Sequence, residues 1–226
     1  MADLQRFRPT IRFAAARHGL AALLLAAALG LTTAWIGADE MYVPSSTPTG
    51  ETLMPLWKPL SMGAAVIPVL GLYSSLRDLE VVTTARLRRM ENLYLAATSG
   101  LGAMVFVGLA AVALTASQLF PMIRSLPTWF GLALLSGRVA GWRLAWVLPL
   151  TAGTMLIYLA PGDQNEWWDI TEPTGTWAAY GLSLGCLLVG LGAYWLTAWR
   201  RRSLLAVLQR ARQRGATLGK RRSPGR

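Results

Sequence analysis

The sequence predicts an all-α integral membrane protein with six transmembrane helices, both termini cytoplasmic, and a short interfacial helix before the first span. Three observations lead there. Apolar residues make up 54% of the 226 and charged residues only 15%, with a mean hydropathy of +0.40, a balance too apolar for a water-soluble domain. The apolar residues gather into runs of about twenty, the number a helix needs to cross ~30 Å of hydrocarbon. The intervals between runs alternate between arginine-rich and acidic, which is how short loops on the two sides of a membrane differ.

Residues 1–17 interleave Phe7, Ile11 and Phe13 with Arg6, Arg8, Arg12 and Arg17. That pattern reads as a helix lying in the cytoplasmic interface, its arginines reaching toward headgroups. The first span covers about 18–38; its apolar run continues through Trp35 to an acidic stop, so it is read as a retained helix and not as a cleaved signal. The loop that follows carries Asp39, Glu40 and Glu51 with no Lys or Arg, and its prolines 44, 48, 55 and 59 suggest an irregular external segment. A second span at about 55–76 leads into Arg77, Asp78, Glu80, Arg86, Arg88 and Arg89, a cytoplasmic loop whose Leu79, Ala85, Leu87 and Met90 favour a short helix of its own. Spans at about 93–117, 142–160 and 177–199 complete the strongly apolar set.

The interval 119–137 is ambiguous by hydropathy, since it holds Pro121, Arg124, Pro127 and Gly131. Charge decides it. Arg138 and Arg143 place the next span's start inside, so the chain must cross between 117 and 137. Six crossings then put 20 of the 22 basic residues in the cytoplasm, all but Lys58 and Arg124, and seven of the 11 acids outside. The domain reading is an interfacial segment at 1–17, a six-helix transmembrane domain at 18–199 and a basic, partly disordered cytoplasmic tail at 200–226.

Chemistry-bearing patterns are sparse. Cys186 is the one cysteine and His18 the one histidine, which excludes an intrachain disulfide and a two-histidine metal or haem site. No phosphate-cradling loop ending in Lys-Ser/Thr is present; Gly215 to Lys220 has the wrong spacing. The acids at 163, 166, 169 and 172 lie among Trp167, Trp168, Pro161 and Pro173 and read as a solvated outer loop with interface anchors rather than as a cation site. The net charge of +11 reflects topology and attraction to anionic lipids, not a nucleic-acid partner. Gly181, Gly185, Gly190 and Gly192, with Ala178 and Ala193, offer small residues for close helix packing in the last span. Lys58 and Arg124, near the outer ends of their spans, are the substrate-path candidates; the plainer reading is that both snorkel to outer headgroups.

Leu79-Glu80 through Arg89 after the second span, Gly131-Leu132-Ala133-Leu134-Leu135 followed by Arg138, Gly141, Trp146 and Pro149, and a last span ending in Arg200-Arg201-Arg202 together resemble the membrane subunit of an ABC-2 type exporter, in particular small actinobacterial permease-like members. The resemblance implies a non-catalytic permease in a bacterial cell membrane, without cofactor or metal. It implies a separate cytoplasmic ABC ATPase docking on Arg77, Asp78, Glu80, Arg86, Arg88 and Arg89. It further implies a second membrane subunit, identical or not, with substrate passing between the two. The alternative is a multi-pass scaffold or accessory protein that does not transport.

Overall fold

The computed structural model describes residues 18–44, 46, 50–73, 85–159, 170 and 177–196, with backbone alone at 85–88, 159 and 196. The expected interfacial segment 1–17, the loop residues Arg77, Asp78 and Glu80, the external acids between 160 and 176 and the basic tail lie outside the described residues. What is described is mostly helical: α1 (Gly19–Ile36), a hairpin of β1 (Glu40–Pro44) and β2 (Glu51–Pro55), α2 (Trp57–Leu70), α3 (Ala85–Ala110), α4 (Ala116–Val139), a single 3-10 turn (Trp142–Leu144), α5 (Val147–Leu159) and α6 (Trp177–Leu196). Three helices are long and apolar enough to cross a membrane: α1, the Arg89–Ala110 part of α3, and Trp177–Trp195 of α6. At 1.5 Å per residue α2 and α5, with 14 and 13 residues, reach only about 20 Å.

α1 is inverted relative to water-soluble packing. On α1 the buried face is Gly19, Ala22, Ala26, Gly30 and Thr33, while Leu20, Leu24, Leu25 and Leu31 point outward. Small residues inside and leucines outside is the arrangement expected where lipid, no less apolar than leucine, surrounds the helices and close backbone approach drives association. A Cβ built on Gly30 would sit 3.0 Å from the Leu109 Cβ, and the face around Ala26 meets Gly102. α1 and α3 therefore run parallel in tight contact. A second parallel pair forms where α6 crosses α4: a Cβ on Gly131 would overlap the Cys186 carbonyl, and one on Gly190 would overlap the Gly131 backbone. Of the small residues expected to pack α6, Gly190 does so, whereas Gly181 and Gly185 face open space.

The interval that hydropathy left ambiguous is one continuous helix of 24 residues, α4. Thr115 and Gln118 form a reciprocal capping box at its start, satisfying amide groups that a helix N-terminus otherwise leaves open. Pro121 and Pro127 lie inside it, and Arg124, Ser125, Thr128, Ser136 and Arg138 are buried along it. α4 packs against α2, α5 and α6, so protein rather than solvent covers its polar positions. Its poor hydropathy follows from that burial.

Gly141, at φ +105°, turns the chain out of α4 through a conformation that side chains resist. Just before it, Ser136 donates its hydroxyl to the Leu144 carbonyl at 2.6 Å and accepts the Leu148 N–H at 3.3 Å. Ser136→Ala should strand both backbone groups and lower stability by about 1 to 3 kcal/mol, read as a drop in melting temperature in detergent.

Two sequence expectations are corrected. The segment expected to be an irregular external loop holds an antiparallel hairpin, with Glu40 opposite Pro55 and Pro44 opposite Glu51. Pro44 and Pro55 stand at strand ends, where a missing N–H costs no ladder bond. The helix expected between 77 and 92 as a separate element is, over its described part, the start of α3, which runs unbroken from Ala85. No breaker interrupts that stretch, and propagation of an existing helix is cheaper than a new nucleus.

The helix ends sort into two groups. Tyr73 after α2 lies under the Arg143 guanidinium, 5.2 Å from the ring centroid. Near the α6 end, Tyr194 donates to Asn92 Oδ1 at 3.0 Å and meets Trp142 edge-on at 6.1 Å. These contacts join the ends of α2, α4 and α6 to the starts of α3 and α5. At the opposite end the Trp57 N–H donates to the Gly37 carbonyl, Ser46 to Tyr158, and Arg124 to Ile170. Consecutive helices thus alternate in direction, with Arg89, Arg138 and Arg143 at one end and Asp39, Glu40 and Glu51 at the other.

Candidate functional site

α3 and α4 follow one another in the chain but barely touch. α3 is tied to α1 and α4 to α6, with α2 bridging the pairs. Between them lies a cavity of about 610 Å³, within the range of small-molecule sites. α2 lines it with Ala64, Ala65 and Pro68, and α4 with Ile123, Leu126, Pro127 and Phe130, spaced to lie on one helical face. The α3 wall runs from Ser99 through Gly100, Ala103, Met104 and Val107 to Gly108, and Leu187 of α6 reaches it. Its one hydroxyl, on Ser99, already donates to the Leu95 carbonyl at 2.6 Å. Gly100, Met104, Gly108 and Ile123 are exposed, so the cavity is a groove open to the surroundings of the helices.

Trp57 flanks the groove, its Nε1 buried without a hydrogen-bond partner among the described residues. It is buried with Phe106, Ala110, Leu114 and Met122, and Phe106 and Met122 immediately precede the groove residues Val107 and Ile123. The Lys58 ammonium stands 5.9 Å from the Trp57 ring centroid, a cation–π arrangement. One of the two substrate-path candidates is therefore near the α2 end that flanks the groove.

The other is elsewhere. Arg124 faces α6, does not line the groove, and is only 6% exposed, so it does not snorkel. Its Nε–H donates to the Ile170 carbonyl at 3.1 Å, and its guanidinium lies 5.3 Å from the Tyr180 ring centroid. The Ser183 hydroxyl donates to the Arg124 carbonyl. The cation ties α4 to α6 and to Ile170, a partner 46 residues away that no local pattern reveals. Close by, Thr128 Oγ1 and Trp129 Nε1 are buried with no hydrogen-bond partner among the described residues.

Of the expected docking residues, Arg86 and Arg88 lie in the first turns of α3 with only their backbone described, and Arg89 is exposed there. Among the described residues no three His, Cys, Asp or Glu side chains are grouped to hold a metal. The groove was not legible from sequence because Gly100 and Gly108 look the same in the chain as Gly131 and Gly190; only packing separates those that face space from those that meet backbone. No family model, curated protein or solved structure matches this chain.

Proposed function

We propose that the chain is a six-pass bacterial cell-membrane protein acting as the permease subunit of an ATP-driven exporter, coupling a separate cytoplasmic ATPase to substrate translocation. The observation that carries the reading is the sorting of helix ends among the described residues, with Arg89, Arg138 and Arg143 at one end of alternating helices and Asp39, Glu40 and Glu51 at the other. α4 is about 36 Å long at 1.5 Å per residue, enough for the crossing that charge balance requires between 117 and 137. The division of the molecule into α1 with α3 and α4 with α6, hinged on α2, gives two bodies whose relative rocking would open or close the groove. Arg77, Asp78, Glu80, Arg86, Arg88 and Arg89 form the proposed ATPase contact, the last three at the start of α3. Hydrolysis takes place on the other chain, and a second membrane subunit completes the path.

The test is affinity purification from native membranes. A copurifying ATPase is expected, reduced about tenfold or more when Glu80, Arg86 and Arg88 are all changed to alanine, a loss of at least ~1.4 kcal/mol of binding. Undiminished copurification with the triple variant would overturn the assigned contact. Absence of any ATPase, with partner binding lost on deletion of residues 203–226, would establish the scaffold alternative instead.

A further inference from the structure

The groove between α3 and α4 has a chemistry of its own. We infer that it holds the hydrocarbon chain of a membrane lipid whose anionic headgroup is met by Lys58. This rests on the membrane placement proposed above but not on coupling to an ATPase.

The walls offer a ligand no free hydrogen-bonding side chain, since Ser99 is satisfied within its own helix. A polar occupant would lose its solvation for nothing. A helix from a second copy fits less well. Close helix packing wants an unbroken small-residue stripe, and here Met104, 64% exposed, stands midway between Gly100 and Gly108. A flexible thioether side chain conforms to a hydrocarbon chain but keeps a second backbone at a distance.

Hydrophobicity cannot supply selectivity, because the chain leaves one apolar medium for another. The headgroup must supply it. Lys58 lies seven residues before the groove residue Ala65 on α2, on the same helical face and about 10 Å nearer the helix start. That offset places a cation one headgroup-to-tail step from the groove. Trp57 lies beneath the Lys58 ammonium and fixes its position at that end of α2.

The full-length protein, purified in mild detergent, would be exchanged with phosphatidylglycerol or phosphatidylcholine and its retained lipid counted by native mass spectrometry. The wild type should retain one phosphatidylglycerol about fivefold better than phosphatidylcholine, the selectivity one lysine near an anionic surface supplies. Lys58→Gln should abolish that preference while lipid is still retained. Gly100→Leu with Gly108→Leu should abolish retention with helicity and elution unchanged, since a Cβ at either position meets nothing within 4 Å. Unchanged retention in the double glycine variant overturns the inference. So does a wild-type dimer that this variant converts to monomer, which gives the groove to a second copy. Retention appearing only after deletion of residues 200–226 gives it to the tail. Each of these outcomes is independent of whether an ATPase copurifies.

Discussion

Gly190→Leu should separate α4 from α6 and lower stability by about 3 kcal/mol or more. Overpacking a core costs ~1 to 3 kcal/mol when side chains can yield, but here the obstruction is the Gly131 backbone itself, which yields only if a helix moves. The added side chain would also undo the contact in which the Cys186 carbonyl lies against Gly131. Cluster residues around that crossing, among them Leu134 and Tyr194, would lose their packing with it. Gly181→Leu is the control: no atom lies within 4 Å of its added Cβ, and a change of no more than about 0.5 kcal/mol is expected. Thermal unfolding in one detergent compares the two. Equal melting temperatures would show that α4 and α6 do not meet through glycine.

Arg124→Met should be nearly as damaging, for an electrostatic reason. A hydrogen bond from a charged donor contributes about 1.5 to 3 kcal/mol, and a desolvated cation over an aromatic ring about 2 kcal/mol. Methionine restores volume and removes the desolvation cost of the charge but leaves the Ile170 carbonyl without this donor. A net loss of about 2 kcal/mol is expected. Amide exchange in the peptide containing Ile170 should quicken at least tenfold. Arg124→Lys should rescue little, because an ammonium lacks the planar Nε–H that makes the bond. If Arg124 instead served only to contact substrate, transport would fall in both variants while exchange at Ile170 stayed as in the wild type.

These two sites also show what the sequence could reveal. The six helices among the described residues each overlap one of the intervals read from apolar runs and charge. The interval that hydropathy left ambiguous is a helix, α4, and because α2, α5 and α6 enclose it, it need not be apolar on every face. The hairpin was missed because proline count outweighed the β-prone Met41-Tyr42-Val43 and Thr52-Leu53-Met54, which flank Gly50 at φ +73°. Arg124 is buried and bonded to Ile170, a partner set by tertiary packing, where the sequence suggests a side chain reaching to headgroups. The groove rests on a fact no chain pattern carries, that two consecutive helices each prefer another neighbour.

The account depends most on α4 crossing the membrane. In a Cys186→Ala background, single cysteines at the exposed positions Ala113 and Leu144 bracket this helix, and labelling of whole cells with a membrane-impermeant maleimide reads which side each is on. Ala113→Cys should label in intact cells and Leu144→Cys only after lysis. Labelling of both from the same side would contradict the crossing, and with it the six-pass arrangement and the permease reading built on it.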